Sequence, residues 1–342
     1  MNILRKTMFL AFAVALTGAC DAEQPEFELD EAGETELRPG VGFRFNTSYA
    51  GLHAIDHIPL NGGMVNDIEL YGIEHSNGVD PADHVDTTTI QVVNGEMIAQ
   101  RMDGTWLFHN DWADTRWNLH VQGLGDIIVT MVPTSVNQYN DDKMPYYELY
   151  WNLPEENPMP TCPKDPGDPL EATVYRGIEI DYGSGEVTTA PDMLYFGCRA
   201  GAVGKAYWWG YGFHELEAHD PAQANSWFTA AIRMIRADIL GDAGSFTTPG
   251  TAVAPNDSFG INSGFPMGTV EEAVWDEDGA ICADSARDGT SLAGIIGAPP
   301  TCQSLGGAQT VYETDPDAKF ITRVEPPPPV ILTPTPLPVL MF

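Results

Sequence analysis

Frequent glycines and prolines restrict most of this chain to short elements of secondary structure. Its 342 residues include 34 Gly and 27 Pro, residues that interrupt helices and strands and favour turns. From Val41 to about Tyr211, segments rich in β-branched and aromatic residues alternate with Asn-Gly, Asp-Gly and proline-containing turns. Clear examples are residues 89–93, 117–121 and 126–132. The pattern predicts antiparallel strands that form sheets or a sandwich.

One segment has the period of a helix instead. Asp220 and Pro221 are typical of an N-cap and a first helical position, and Gly241 is typical of a helix stop. Between them, apolar residues recur at steps of three and four positions: Ala224, Trp227, Phe228, Ala231, Ile235 and Ile239. We therefore predict an amphipathic helix over about 221–240 that packs on the sheet. The fold class is then α+β and mostly β.

The N-terminus has the pattern of a bacterial export signal. Arg5 and Lys6 precede an apolar run over residues 8–16, which is too short for the roughly 20 residues of a membrane span. The end of the run, Leu-Thr-Gly-Ala-Cys, resembles a lipobox and predicts lipidation of Cys20. Thr17 stands where an aliphatic residue is usual, so an ordinary secretory cleavage is the alternative. We expect a lipid-anchored protein on the extracytoplasmic side of the inner or outer membrane.

The cysteine count agrees with this location. Five cysteines are an odd number, and setting Cys20 aside leaves Cys162, Cys198, Cys282 and Cys302. An even set in an exported protein predicts two disulfides, although four cysteines allow three pairings. The sequence favours Cys282–Cys302, which closes a short loop, together with Cys162–Cys198.

The charge balance excludes some classes of partner. The chain has 49 acidic and 16 basic residues, for a formal charge of −33. Nucleic-acid binding and contact with anionic lipid headgroups both depend on clustered Lys and Arg, so neither is expected. Residues 21–40 carry eight acids and one arginine and are typical of a flexible tether. The C-terminal end, from Glu325, is a proline-rich and extended tail.

Catalytic and metal motifs are weak. The chain has no G-x-S-x-G, G-x-x-x-x-G-K or G-x-G-x-x-G motif. His214 and His219 are five residues apart, whereas a zinc-binding helix places its histidines four apart. Asp276 and Asp278 cluster beside Gly279 as calcium ligands do, without completing a twelve-residue calcium loop. We expect no cofactor and no bound metal.

Two functional alternatives stay open. The first is an extracytoplasmic metal-binding protein or hydrolase that uses His214, His219 and nearby acids. The second is a carbohydrate- or protein-binding module, since exposed aromatic rings could stack on sugars, although aromatic rings in β proteins are more often buried. The candidate rings are Trp106, Trp112, Trp117, Trp151, Trp208 and Trp209.

Two long stretches carry a family resemblance. Residues 196–211 read FGCRAGAVGKAYWWGY, and residues 231–242 read AIRMIRADILGD. Thr-Pro-Gly-Thr at 248–251, Glu-Ala-Val-Trp at 272–275 and Gly-Ala-Ile-Cys at 279–282 follow. In order and spacing these segments resemble the ADYC domain of predicted lipoproteins from myxobacteria and their relatives, over roughly residues 145–302. The motif positions are Arg233, Arg236, Ala237, Asp238, Gly241, Asp242 and Trp275.

The departures from the family pattern are informative. The resemblance implies cysteines where this chain has Ala206, Ala231 and Leu240. An apolar replacement suits a lost disulfide better than a lost catalytic thiol, because packing can replace a crosslink. Arg233, Arg236 and Asp238 are interpreted as a salt-bridged capping network on the helix. The resemblance implies location and architecture but no reaction.

These observations predict five segments and a non-enzymatic role. The segments are a signal peptide (1–19), lipidated Cys20 with an acidic tether (20–40), a β-rich region (41–140), an ADYC-like domain (141–323) and a proline-rich tail (324–342). We expect a cell-envelope lipoprotein with a structural or interaction role. Its expected partners are the membrane, through the lipid, and an envelope protein or glycan.

Overall fold

The structure is a computed structural model that describes most of residues 48–324. The gaps are residues 51–52, 76–79, 138–142, 155, 163–168, 183, 243, 248–250 and 265–267. The predicted signal peptide, Cys20, the acidic tether and residues 325–342 lie outside the described residues. Predictions about those segments therefore stay predictions.

Strands make up most of the regular structure. They are β1 (Tyr49–Ala50), β2 (His53–Ala54), β3 (His57–Pro59), β4 (Met64–Val65), β5 (Ile68–His75), β6 (Val85–Val93), β7 (Glu96–Arg101), β8 (Trp106–Leu107), β9 (Thr115–Val121), β10 (Gly125–Asn137), β11 (Lys143–Asn152), β12 (Met159–Pro160), β13 (Glu171–Ile180), β14 (Val187–Cys198), β15 (Val253–Asp257), β16 (Val270–Asp276), β17 (Gly279–Ala283) and β18 (Phe320–Val324). The α-helices are α1 (Ala202–Trp208), α2 (Phe213–His219), α3 (Ala224–Arg236) and α4 (Ala308–Thr314). Within the described ranges, no helix has the length and apolar character that a membrane span requires.

The largest sheet, here called the central sheet, has nine strands. Their order is β3-β14-β13-β11-β10-β9-β5-β4, with β12 beside β11, and every pairing is antiparallel. A four-stranded sheet in the order β15-β18-β16-β17, here called the C-terminal sheet, and a three-stranded sheet of β6, β7 and β8 accompany it. Strands from both sides of residue 140 share the central sheet. The predicted fold class, mostly antiparallel β with packed helices, is confirmed.

Both faces of the central sheet are buried where β11, β13 and the second half of β14 lie side by side, whereas β5 and β9 alternate buried and exposed residues. Tyr146, Tyr175 and Tyr195 belong to a core shared with α1, α2, α3 and the C-terminal sheet. Tyr147 and Val174, their immediate neighbours in sequence, belong to a second core shared with β5–β10. Successive side chains of a strand point to opposite faces, so each of these strands contributes to two cores.

The predicted helix is α3, but it is shorter than predicted at both ends. It runs Ala224–Arg236, after a turn over residues 221–223. Ala237 follows it in the left-handed conformation with φ 52°, so the helix ends at Arg236, five residues before Gly241. The early end has a physical cause, because the segment after Ala237 turns back and hydrogen-bonds to the last carbonyls of the helix.

Nearly all of α3 is buried, including its polar side chains. Thr229, Arg233 and Arg236 are buried together with the apolar stripe. The sequence predicted one buried face, but α3 contacts β14 of the central sheet and also β16, β17 and β18 of the C-terminal sheet. Since it lies between two sheets, its polar groups need partners within the protein.

The structure contains the two disulfides that the sequence favoured. Cys162 pairs with Cys198 and Cys282 pairs with Cys302, with Cα–Cα distances of 5.5 Å and 4.9 Å. The first ties the chain after β12 to the end of β14, and the second ties β17 to a 3-10 helix over Cys302–Leu305. The sequence separations are 36 and 20 residues. Crosslinks that close loops of this size contribute about 3–4 kcal/mol each by restricting the unfolded chain.

The shorter crosslink gives a testable expectation. Replacing both of its cysteines, Cys282→Ser with Cys302→Ser, lowers the free energy of unfolding by about 3 kcal/mol. Urea unfolding followed by circular dichroism measures the change. Chemical reduction of the unsubstituted protein is the control and should destabilise it at least as much. Equal stability of the double variant and the oxidised parent would contradict the contribution assigned to this disulfide.

Candidate functional site

A cleft of about 600 Å³ lies beside the N-terminus of α3. Its walls come from β13, β14, α2 and the first turn of α3, with one residue from the turn between β16 and β17. The polar residues that define its chemistry are Tyr175, Arg176, His214, Glu217, Asn225 and Glu277. Because the lining contains groups of both charges, the cleft suits a polar rather than a purely apolar molecule.

Hydrogen bonds hold the first half of α3 against β14 and so shape the cleft. The Thr229 hydroxyl accepts from the backbone N–H of Val187 at 3.0 Å and donates to the carbonyl of Asn225 at 2.8 Å. The Asn225 amide donates to the Thr189 hydroxyl at 3.0 Å. Together these bonds fix the helix N-terminus at the edge of the cleft.

His214 is the sequence-predicted candidate that lines the cleft. Its Nε2 lies 2.8 Å from the Glu215 carboxylate, and its ring packs near Tyr175 and Tyr207. Its Nδ1 is buried and has no hydrogen-bond partner among the described residues. A histidine beside a carboxylate can hold or pass on a proton. Here Nε2 already contacts the Glu215 carboxylate.

Three tyrosines surround this histidine and its acid. Burial raises the pKa of Tyr146, Tyr175 and Tyr207 well above the ordinary tyrosine value, and the Glu215 carboxylate raises it further. The Tyr146 and Tyr207 rings meet edge to face at 5.3 Å between centroids. The tyrosines are therefore neutral hydroxyls at physiological pH, able to donate hydrogen bonds but not to act as bases.

The other metal candidates are not brought together with His214. His219 stacks its ring on Phe259 at a centroid distance of 4.8 Å. Asp276 and Asp278 lie at the turn between β16 and β17, where the backbone N–H of Asp278 donates to the Asp276 carboxylate at 2.8 Å. Burial raises the pKa of Asp276. Across the described ranges, no group of three His, Cys, Asp or Glu residues could hold a metal.

The family motif wraps the C-terminal end of α3. The backbone N–H of Asp238 donates to the Arg233 carbonyl at 2.9 Å, and the Ala237 N–H donates to the Met234 carbonyl at 3.2 Å. The Ser245 hydroxyl donates to the Arg236 carbonyl at 3.1 Å. These bonds satisfy carbonyls that have no partner within the helix.

The motif arginines are part of the same structural arrangement. Arg233 donates from Nη2 to the Ser184 carbonyl at 3.1 Å, which ties α3 to the turn between β13 and β14. Burial lowers the pKa of Arg236, while the neighbouring Asp238 carboxylate opposes that shift. Asp238 is fully buried, and its Oδ1 accepts from the Asp242 N–H at 3.2 Å. The arrangement places these polar groups in the interior, away from the cleft lining.

Gly241 and Trp275 show how tightly the motif packs. Gly241 has φ 67°, and a Cβ there would collide with the Asp278 carbonyl and the Arg233 guanidinium. Trp275 is fully buried, and its indole N–H donates to the Thr322 hydroxyl at 2.9 Å. The glycine is therefore required both by its backbone angle and by the close approach of the β16–β17 turn.

A buried ion pair lies at the C-terminal end of α3. Arg287 contacts the Glu272 carboxylate through Nε at 2.6 Å and Nη2 at 2.9 Å, and both side chains are only 1% exposed. Its remaining Nη1 donates to the Ile235 carbonyl at 3.0 Å. One arginine thus joins β16, α3 and the loop after β17.

The family model described as the ADYC domain matches residues 109–289, more than half of the chain. The chain belongs to the ADYC domain family. The matched range contains β9 to β17, α1 to α3, the motif and nearly all of the cleft lining. No curated protein and no solved structure matches the chain significantly.

In this ADYC domain, buried alanines stand at two of the positions where the resemblance implies cysteines. Ala206 and Ala231 are fully buried in the same core. Ile239, at the tyrosine position of the Ala-Asp-Tyr-Cys string, is also buried. That the family cysteines form crosslinks stays a prediction.

The tryptophans of this ADYC domain do not form one exposed surface. Trp112, Trp117 and Trp151 are buried in the second core, whereas Trp106 is 42% exposed. The Arg199 guanidinium lies 4.5 Å from the ring centre of Trp208. Rings enclosed in the core cannot stack on a sugar.

A buried network around His57 in β3 has no signature in the sequence. His57 Nδ1 lies 2.9 Å from the Tyr182 hydroxyl and 3.2 Å from the Asp56 carboxylate, and Tyr182 also donates to Asp56. His57 Nε2 accepts from the Ile180 N–H at 3.1 Å. Asp56 and His57 are 0% exposed, and both ring nitrogens are engaged. The network therefore fastens β3 to β13.

The ion pair at the end of α3 can be tested with a matched pair of variants. Glu272→Gln leaves the Arg287 charge buried without compensation and should lower the free energy of unfolding by about 3–5 kcal/mol. Its neighbour Glu271 contacts Arg323 at 3.2 Å in a more exposed pair. Glu271→Gln should therefore cost at most about 1 kcal/mol. Denaturant unfolding measures both losses, and equal losses would argue against the role assigned to Glu272.

The tyrosine cluster predicts instability in alkaline solution. The folded-state pKa values of Tyr146, Tyr175 and Tyr207 are raised, so their stabilisation is present below the ordinary value of 10.0 and is lost as the pH rises above it. Each ionising tyrosine removes about 1.4 kcal/mol per pH unit. Tyrosinate absorbance and circular dichroism should therefore change together.

Two variants provide the comparison for this titration. Tyr207→Phe removes one buried ionisable group and should move the alkaline unfolding midpoint to higher pH. Tyr71 is 58% exposed, so Tyr71→Phe should leave the midpoint unchanged. Smooth ionisation of every tyrosine without loss of structure would show that the cluster is not buried as described.

Proposed function

We propose that the mature protein is a cell-envelope lipoprotein, anchored through Cys20, whose folded body has a structural or interaction role. One observation carries the proposal: Cys162, Cys198, Cys282 and Cys302 form two disulfides. Such crosslinks persist in oxidising compartments. All cysteines except Cys20 are thereby used, and Cys20 stands at the end of the export signal.

The chemistry of the folded body supports a non-enzymatic role. The motif residues Arg233, Arg236 and Asp238 stabilise the end of α3. The histidine nitrogens of His57 are both engaged inside the protein. Polar groups that already have internal partners contribute to stability and are not available to a substrate. The proposed partners are the membrane, through the lipid, and an envelope protein or glycan.

A second candidate function, an extracytoplasmic hydrolase, is favoured by the cleft. His214 lines it together with Glu217 and Glu277, which are residue types that serve as general acids and bases. In this candidate, His214 would exchange its contact with Glu215 for one with a bound water.

The anchor gives the decisive experiment for the leading proposal. In the full-length precursor produced in a Gram-negative host, Cys20→Ala should move the protein from the membrane fraction to the soluble fraction. A single cysteine carrying several acyl chains provides a lasting anchor, and its loss leaves none. Incorporation of labelled palmitate measures the lipid directly.

A matched variant controls for general effects on export. Thr17→Leu introduces the usual aliphatic residue of a lipobox and should keep both the label and the membrane retention. Unchanged membrane retention and labelling of the Cys20→Ala variant would overturn the anchor.

A further inference from the structure

Two aromatic rings are exposed on one side of the sheet formed by β6, β7 and β8. Trp106 and Phe108 are 42% and 52% exposed, whereas Leu107 between them is buried. The backbone at Phe108 is extended, with φ −126° and ψ 176°, so the side chains of residues 106 and 108 point to the same side. Two residue steps of an extended chain place their Cβ atoms about 7 Å apart. The two rings therefore belong to one exposed surface.

The strand register extends this surface across β7 and β6. Gln100 is opposite Trp106 on β8, and Ile98 is opposite Gln91 on β6. Ala99 between them is fully buried, so Ile98 and Gln100 point outward with the rings. We call this surface the aromatic face, and its residues are Gln91, Glu96, Ile98, Gln100, Trp106 and Phe108.

The aromatic face also carries amide groups that are available to a ligand. The side chains of Gln91 and Gln100 form no hydrogen bond with another described residue. Glu96 brings a negative charge to this side of the sheet, and Arg101 at the end of β7 is paired with Asp103. The face therefore disfavours an anionic ligand. Rings and free amides together suit a sugar, whose C–H face stacks on an aromatic ring while its hydroxyls hydrogen-bond to amides.

The size of the aromatic face argues against a folded protein as its partner. The face is three strands wide and four residue steps long, from Glu96 to Gln100 on β7. At the usual spacings of sheets, these dimensions are about 10 Å by 14 Å. A stable protein interface covers about 800 Å² on each partner, which is several times this area. A flat surface of this size is suited to one or two sugar rings.

We propose that the aromatic face binds uncharged sugar rings of an envelope polysaccharide. Trp106 and Phe108 stack on the sugar rings, and the amides of Gln91 and Gln100 hydrogen-bond to their hydroxyl groups. This inference rests on the proposed function, whose partners include an envelope glycan, and it names the binding surface and the kind of sugar. The family match begins at residue 109, so the inference concerns this chain rather than the domain family.

The test uses the full chain with Cys20→Ala in detergent, so that the lipid does not enter the measurement. Chitohexaose and cellohexaose are the probes, because both are uncharged and β-linked, and calorimetric titration measures their dissociation constants. At least one probe should bind. Trp106→Ala and Phe108→Ala should each weaken that binding about fivefold or more, because a stacking surface is lost, and Trp106→Phe should fall between Trp106→Ala and the parent. Gln100→Leu keeps the volume without the amide and should also weaken binding.

Two exposed side chains outside the aromatic face provide matched controls. Tyr71 on β5 is 58% exposed, and Met102 in the turn between β7 and β8 is 62% exposed. Tyr71→Ala and Met102→Ala should bind the probe like the parent. All variants should keep the circular dichroism spectrum of the parent.

Three results would overturn the proposal. They are failure of both probes to bind, equal weakening by Tyr71→Ala and Trp106→Ala, and a dimer in sedimentation velocity that Trp106→Ala dissociates. The last result would make the aromatic face an interface between two copies of the chain. Palmitate labelling of the unsubstituted protein tests the anchor separately, so failure of the anchor and failure of sugar binding are distinguishable.

Discussion

Burial on both faces of the part of the central sheet formed by β11, β13 and the second half of β14 is the constraint on which the rest of this structure depends. Tyr146 and Tyr147 are adjacent in sequence, yet one packs against the helices and the other against the strands β5–β10. A sheet covered on both sides needs two separate sets of covering elements. The helices and the C-terminal sheet form one set, and the strands β5–β10 contribute the other. The Cys162–Cys198 disulfide lies at the end of β14, and Cys282–Cys302 lies at the C-terminal sheet.

Enclosure of α3 between two sheets explains the chemistry of the family motif. The last carbonyls of a helix can hydrogen-bond to water when they are exposed, but here they are buried. Asp238, Ser245 and Arg287 supply the missing donors. Gly241 permits the close approach of the β16–β17 turn that covers this end. In this chain, the motif of the ADYC domain therefore allows a helix to end in the protein interior with its last carbonyls hydrogen-bonded.

The opposite end of α3 has the opposite character. Its first N–H groups are unpaired and lie in the wall of an open cleft, beside Arg176 and His214. In α3, the last carbonyls therefore have hydrogen-bond donors, whereas the first N–H groups have no acceptor among the described residues.

The sequence by itself determined the features that depend on local pattern. Strand alternation, the apolar period of α3, an even set of four cysteines and the ADYC motif all follow from residue types and spacing along the chain, whereas the structure gives the cysteine pairing. Only the tertiary structure decided which polar residues are structural. His57 meets Ile180 and Tyr182 through the pairing of β3 with β14. Arg176 and the start of α3 line the same cleft because α3 packs on β14. Such contacts join residues that are distant in sequence, and no local pattern encodes their distance.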